Sequence, residues 1–495
     1  MKTTILLPLR QYHRNYPVIG IGVVLLLLIF ATRLYYIRSF PPFLDEGLHL
    51  QFAETILNSG PFARAEEGRL FTIWWYLLFQ PTTSSAALWS VRVATILAIL
   101  PGAAAAISIG KLAAGVWGAA LAGILYLFSN YHLFFDRLAL SDPVAASAVM
   151  VALYFTYRLS RQIHLKDGVW MSIALFIGIG AKITVLPYLG IPLAGALTLL
   201  PWQEKRKTRL RWTAVTLGIS VLLVIGFIAM LQWRGYNVLA LLVAQNPNFM
   251  RSFTITLPSN VAQTITATIT YMGIFLFLLS FAGVVFLIFY RRLFLPLVLL
   301  LPPLTILVNQ RQSERYYAVP MSILLVCAAV GLGIFIRQWR PAVRAGILGA
   351  LLAISLAQWL PFANTLYNAP SELTLPGNDQ NEYIATDTSG FGLKEIYQAL
   401  NSANAQEVIG LLSNCQGLRY MALHDFTVIC PHLALDGSSV RNQLELVNAN
   451  RATGYYVVVE NTPYVPEADT LPGSLIFTIE RPGKMSVLSV YDLSP

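Results

Sequence analysis

Eleven long apolar runs fill the first 361 residues of this chain, near 17–36, 86–108, 113–131, 143–159, 168–184, 185–200, 212–231, 263–289, 293–308, 317–336 and 342–361. A bilayer core takes about 20 apolar residues per helix, and every backbone polar group inside it must be bonded within the protein. Runs this long and this closely spaced restrict the fold to a polytopic helical membrane protein. The charge content agrees, at 12% of residues against about 25% in a soluble domain. The first run is followed by Arg33 and Arg38 and not by a small-residue cleavage site, so it reads as an uncleaved anchor. The shortest runs are 185–200 and 293–308.

Basic residues set the expected orientation. With the N-terminus in the cytoplasm, six alternate segments receive 17 basic residues, and their short loops carry only two acids, Asp167 and Glu204. An odd number of spans then places the C-terminal tail outside. The two parts of the chain differ in charge. Residues 1–361 hold 28 basic and 10 acidic residues, a net +18, and residues 362–495 hold 6 and 14, a net −8. The basic excess is thus mostly a topology signal. No basic stripe interleaved with aromatics points to nucleic acid.

The expectation is a mainly α polytopic membrane protein of about 11 transmembrane helices, N-terminus in and C-terminus out. The membrane domain is 1–361 and an exported α/β domain is 362–495. The first outer segment, 37–85, repeats Leu44, Leu48, Phe52 and Ile56 every four residues, with Asp45, Glu46, His49 and Glu54 between them. That pattern predicts a helix lying in the interface. Leu70 to Phe79, with Trp74, Trp75 and Tyr76, suits an aromatic belt. The tail has short β-rich runs at 407–412, 427–430, 455–460, 474–479 and 485–491, and a helical stretch at 393–403. It shows no phosphate loop or nucleotide fingerprint. The chain shows no solenoid repeat. Cys327 lies in an apolar run. Cys415 and Cys430 fall in the tail, where an exported disulfide persists, and either a bridge or two buried thiols is compatible with their spacing.

The acids carry two readings each. Asp45 and Glu46 can cap the interfacial helix, or Asp45 can act as a general base positioned by its neighbour. Ser141-Asp142-Pro143 is an ordinary helix start, yet Asp142 can also face the same cavity. Lys182, within IGIGAKITVLPYL, is expensive between two apolar runs unless its ammonium snorkels or meets a counter-ion such as a lipid phosphate. Arg64, Arg69, Arg137, Arg311 and Arg315 fall on the same outer side. Arg64 and Arg69 also read as plain solvated charges. Carboxylates and cations together at a bundle mouth suit transfer from a phosphate-linked lipid, since the attacking group needs a base and the leaving phosphate needs positive charge.

Four segments in order, PPFLDEGLHL, FFDRLALSDP, GAKITVLPYL and QSERYYAVP, make the chain resemble the GT-C membrane glycosyltransferases, in the group of protein O-mannosyltransferases and lipid A aminoarabinose transferases. The resemblance covers roughly residues 1–361. The tail, with Tyr383 and SGFGLKEIYQAL, is similar to tails of bacterial members. The resemblance implies an enzyme of the plasma (inner) membrane, with its site outside the cytoplasm. It would pass a sugar with inversion from a polyprenyl-phosphate donor to a lipid, glycan or protein acceptor. Asp45 would be the general base, Glu46 would orient it or the acceptor, and Asp142 would shape the cavity. Arg137, Lys182, Arg315 and Tyr316 would hold the phosphate. Arg69 matches a basic residue that relatives place before a proline pair, and the pair is absent here. A divalent cation is left open by the resemblance. Glu66, Glu67 and His49 are the candidate ligands, without a recognisable metal spacing, and no metal is assigned. Two other classes fit the helix count. A transporter or lipid flippase calls for acids or broken helices near the midplane and a repeat between halves. A non-catalytic sensor or assembly subunit would use the tail as its working part.

Overall fold

The computed structural model describes residues 6–79, 86–162, 164–199, 206–237, 249–301, 313–431, 437–450, 455–462, 465 and 471–493. Arg311 lies outside them. The N-terminal part is helical: α1 (Leu6–Leu34), α2 (Leu44–Ser59), α3 (Leu70–Leu77), α4 (Ala87–Leu127), α5 (Asn130–Phe135), α6 (Ser141–Gln162), α7 (Leu165–Ala181), α8 (Ile191–Thr198), α9 (Arg206–Trp233), α10 (Phe249–Phe289), α11 (Ala318–Ile336) and α12 (Pro341–Asn368).

Among the described residues, five stretches are long and apolar enough to cross a membrane: 87–127, 213–233, 260–289, 314–336 and 341–368. Leu222, Ile225, Leu278 and Phe281 stand exposed on two of them, where contact with lipid makes exposure cheap. The expected runs 86–108 and 113–131 are the two arms of α4. The helix breaks at Gly115, whose φ of 77° is favourable for glycine. A Cβ on Gly110 would lie 2.3 Å from the Gly118 carbonyl oxygen. In one straight helix residues eight apart are separated by about 12 Å, so the chain turns back between them. The run 263–289, expected as one span, breaks at Gly273 with φ 71°. Gln358 of α12 fills the place where a Cβ would stand. The two shortest runs differ most from regular spans. The first is a 3₁₀ stretch, Ile183–Gly190, leading into α8, and the second opens with a five-residue helix, Phe294–Val298. Pro187 and Pro296 supply the irregularity.

The tail carries all five expected strands: β1 (Glu407–Leu411), β2 (Thr427–Ile429), β3 (Tyr456–Glu460), β4 (Ser474–Glu480) and β5 (Val487–Asp492). They form one sheet in the order β2-β1-β3-β5-β4, with β1 parallel to β2 and β3, and β5 antiparallel to β3 and β4. The expected helix is α13 (Leu393–Ser402); α14 (Cys415–Met421), α15 (Gly437–Asn450) and a four-residue helix at Gly377–Gln380 are unanticipated. The expected division at 361/362 falls within α12, which continues to Asn368.

Cys415 and Cys430 form a disulfide with their Cα atoms 5.7 Å apart, which decides between the two readings of the spacing. Its closed loop of 15 residues is expected to stabilise the tail by about 3 kcal/mol in the chain-entropy model. Cys415→Ser should therefore lower the melting temperature of the tail under non-reducing conditions. Under reducing conditions the variant and the parent should melt together.

Candidate active site

The site is built at one end of the bundle, around the start of α2. Glu46 is the third residue of that helix, and its Oε2 accepts a hydrogen bond from the Phe43 N–H at 2.9 Å. This closes the helix start from the side chain, as in half of a capping box. Glu46 also accepts from Arg92 Nε at 2.8 Å and Nη2 at 2.7 Å and from the Ala139 N–H at 2.7 Å. Arg92 Nη1 in turn donates to the carbonyls of Ile37 and Phe40, both at 2.8 Å. Glu46 is fully buried and all of these partners are structural. These bonds fasten α2 to the chain before it and to the loop before α6. Capping belongs to Glu46, and its neighbour Asp45 is left to face the site.

Asp45 Oδ2 lies 2.5 Å from Arg315 Nη1 and 3.6 Å from Arg69 Nη1. Lys182 Nζ lies 2.5 Å from Asp142 Oδ1 and 4.4 Å from the centre of the Tyr316 ring. The Arg315 guanidinium is 5.5 Å from that same ring and 5.7 Å from the ring of Phe43. An unbroken chain of contacts therefore joins Asp45 to Asp142 through Arg315, Tyr316 and Lys182. Asp142 lies in the first turn of α6, as the Ser141-Asp142-Pro143 helix start predicts, and its carboxylate meets Lys182.

Local structure places the cations. Arg69 immediately precedes α3, and two hydrogen bonds tie this stretch to the end of α7 and the residue after Lys182. Thr72 Oγ1 donates to the Ala181 carbonyl at 3.1 Å, and the Ile183 N–H donates to the Gly68 carbonyl at 3.0 Å. Arg69 and Lys182 are held side by side in this way. Beside them Gly68, Leu70, Phe176, Gly180, Ile183 and Phe227 line an apolar cavity.

Electrostatics follow from this crowding. Burial alone would raise the Asp45 carboxyl pKa, but Arg315 and then Arg69, with His49 and Lys182 adding less, hold it far below the usual carboxylate range. Burial, then the Arg69 charge, pushes the His49 imidazole down to about 3. The unfolded chain binds a proton on this residue near pH 6.5, and the folded site resists it. The stability contribution is therefore complete above pH 6.5 and lost as pH falls towards 3. Replacing His49 by Gln should flatten part of the fall in melting temperature between pH 7 and pH 5. His132 of α5, also at about 3, keeps the remainder.

Arg137 is not brought into this cluster by any of its bonds. Its Nη2 donates to the carbonyls of Tyr35 at 3.0 Å and Tyr36 at 2.6 Å, and its guanidinium stacks 4.7 Å from the Tyr367 ring. It fastens the end of α1 to α12. Arg33 does similar work on the other side, donating to the Leu127 and Tyr126 carbonyls and lying 3.7 Å from Asp136.

The candidate metal ligands do not converge. Glu67 pairs loosely with Arg64 at 3.9 Å on the surface. Both ring nitrogens of His49 are engaged, by the Ala139 carbonyl and by Arg69. Among the described residues no three His, Cys, Asp or Glu side chains lie together as a ligand set.

The tail supplies one wall. Tyr383 packs on Phe43 with ring centres 4.2 Å apart. The Leu44 N–H donates to the Thr388 carbonyl at 3.1 Å, and Asn414 Nδ2 donates to the Pro42 carbonyl at 2.7 Å. Arg419 and Tyr420 both bind the Glu54 carboxylate, at 2.9 and 3.0 Å. Glu382 accepts from Ser313 Oγ at 3.1 Å, two residues before Arg315. Tyr271 donates to the buried Asp379 carboxyl, which burial and the neighbouring Glu314 carboxyl hold well above the ordinary carboxylate value. Of the tail residues in this wall only Tyr383 carried a sequence signal, through its resemblance to bacterial tails.

No protein-family model matches the sequence, and no curated protein matches it either. Solved structures do. The apo structure of ArnT from Cupriavidus metallidurans superposes with a TM-score of 0.59 at 15% identity, covering 98% of this chain and 99% of that one. The form of the same protein bound to undecaprenyl phosphate gives 0.57 at 14% identity, covering 97% and 99%. The archaeal oligosaccharyltransferase AglB from Archaeoglobus fulgidus, in complex with an inhibitory peptide and a dolichol-phosphate, gives 0.54 at 12% identity, covering 91% of this chain and 70% of that one. The arabinofuranosyltransferase AftD from Mycobacteria gives 0.51 at 16% identity over 97% of this chain and 40% of its own. The chain shares its fold with these proteins. The ArnT match spans nearly the whole of both chains, so the GT-C likeness includes the tail as well as the membrane helices.

Proposed function

We propose that this chain is an inverting glycosyltransferase that moves a sugar from a polyprenyl-phosphate donor to an acceptor at the extracytoplasmic membrane face. The observation that carries the reading is the convergence of Arg69, Lys182, Arg315 and Tyr316 on two carboxylates, Asp45 and Asp142, beside an apolar cavity. A lipid phosphate needs cations for its head and apolar surface for its chain, and the lining beside Arg69 and Lys182 is apolar. ArnT with undecaprenyl phosphate and AglB with a dolichol-phosphate are fold neighbours whose structures hold such a lipid.

In the proposed reaction Asp45 takes the proton of an acceptor hydroxyl or amine. The freed electron pair attacks the anomeric carbon from the face opposite the phosphate. The bond from that carbon to the phosphate oxygen breaks, the configuration inverts, and polyprenyl phosphate leaves with the bonding pair. Arg315, Lys182 and Arg69 stabilise the charge that develops on the leaving oxygen. Tyr316 packs against two of these cations, and Asp142 holds Lys182 in place. The transferred sugar is a hexose or a pentose, and the acceptor is a lipid, a glycan or a protein.

The donor also alters the base. In the unliganded site Arg315 is engaged by Asp45, which makes Asp45 a weak proton acceptor. A phosphate that draws Arg315 away makes it more basic, so proton transfer is favoured once donor is bound. A panel of radiolabelled polyprenyl-phosphate sugars, incubated with the purified protein and membranes, tests the proposal. Label should move to one lipid, glycan or protein fraction. Substrate flux across proteoliposomes with no glycosidic product would identify a transporter instead.

A further inference from the structure

His49 follows Asp45 by four residues and therefore lies on the same face of α2. It is fully buried. Its Nδ1 lies 2.6 Å from the Ala139 carbonyl oxygen. A carbonyl can only accept, so Nδ1 carries the hydrogen. In the neutral imidazole Nε2 then presents a lone pair. The group facing that lone pair is Arg69 Nη1, at 2.9 Å, and an arginine can only donate. The two contacts specify one tautomer and one charge state, with no alternative assignment of donors.

The charge state matters for what Arg69 can do. Its Nη1 is 3.6 Å from Asp45, beyond a good hydrogen bond, while Arg315 makes the close contact to that same oxygen. Arg69 is thus aimed by an uncharged acceptor. An acidic residue in place of His49 would aim Arg69 equally well but neutralise it. A neutral acceptor fixes the guanidinium and leaves its positive charge for an incoming anion.

We infer that His49 is a positioning residue that holds Arg69, through a neutral imidazole, in the orientation that receives the phosphate of a polyprenyl-phosphate donor. The inference rests on the transferase reading above. Three substitutions separate a positioning role from a merely structural one. His49→Leu removes the acceptor, His49→Glu replaces it with a charged one, and His49→Gln keeps a neutral oxygen where Nε2 lies. Loss of one hydrogen bond to a charged group predicts about tenfold weaker binding of polyprenyl phosphate, and a matching rise in donor KM, for His49→Leu. Its kcat should change by less than about threefold, because the proton transfer at Asp45 does not pass through the imidazole. His49→Glu should bind polyprenyl phosphate at least as weakly as His49→Leu. His49→Gln should stay within about threefold of the parent. Binding of polyprenyl phosphate by the detergent-solubilised full chain, with melting temperature as a folding control, gives the first readout without turnover. Parent-like binding by folded His49→Leu and His49→Glu overturns the inference while leaving the transferase reading intact. Failure of the parent itself to bind polyprenyl phosphate overturns the transferase reading first. Equal loss in all three variants assigns His49 to packing alone and also overturns the inference.

Discussion

Asp45→Asn is expected to leave a folded protein whose kcat for sugar transfer is lower by about 10²- to 10⁴-fold. The substitution removes the proton acceptor and keeps the side-chain volume. It also removes the negative charge that pairs with Arg315 and faces Arg69. These cations then have no carboxylate competing with the donor phosphate. Donor KM should therefore stay level or fall while kcat collapses, the opposite split from that expected for His49→Leu. Polyprenyl phosphate should also raise the melting temperature of Asp45→Asn by more than it raises that of the parent, since the ligand restores charge balance. Label transfer at saturating donor and thermal melting with and without the lipid are the two measurements. Transfer at the parental rate by the Asn variant would remove Asp45 as the base and with it the proposed mechanism.

The adjacent acid should behave differently. Arg92→Met leaves Glu46 as a charged group with no cation partner in a fully buried place. Breaking one side of a buried ion pair typically costs about 3–5 kcal/mol. The bonds lost with the guanidinium also include those to the Ile37 and Phe40 carbonyls, at the entrance to α2. The expected result is a large drop in melting temperature and in the yield of folded protein, with activity lost in proportion to folding. A variant that melts like the parent but transfers no sugar would return Glu46 to the reacting groups. Two neighbouring carboxylates thus receive different tests because their surroundings differ. Asp45 faces cations that the proposed donor phosphate would share, and Glu46 faces an arginine and a backbone N–H buried with it.

The strands show how much was legible locally. The run at 455–460 alternates little and is rich in valine, as a strand buried on both faces must be, and β3 lies at the centre of the sheet. The 44–56 repeat predicts α2, and the structure starts that helix at Leu44. Lys182 was conspicuous because a lysine between apolar runs needs a reason, and Asp142 provides one at 2.5 Å. Arg137 shows the limit. An arginine in the right loop looks the same in sequence whether it binds phosphate or the Tyr35 and Tyr36 carbonyls, because the deciding acceptors lie 102 and 101 residues away. The wall from the tail was illegible for a similar reason. Tyr383 meets Phe43, and Arg419 meets Glu54, across several hundred residues of chain with no periodic signal to announce it.

The sequence alone determined the helical membrane architecture, the five strands of the tail and the residue types from which a site can be made. Run length, side-chain period and composition are local properties, and each is enforced by the solvent that its own segment meets. Only the tertiary structure decided which carboxylate faces the site and which is bound into the scaffold. Glu46 is claimed by Arg92, 46 residues on, and by the Ala139 backbone, 93 residues on, and Asp45 by Arg315, 270 residues on. The role of a charge depends on which opposite charge the packing of the helices places beside it.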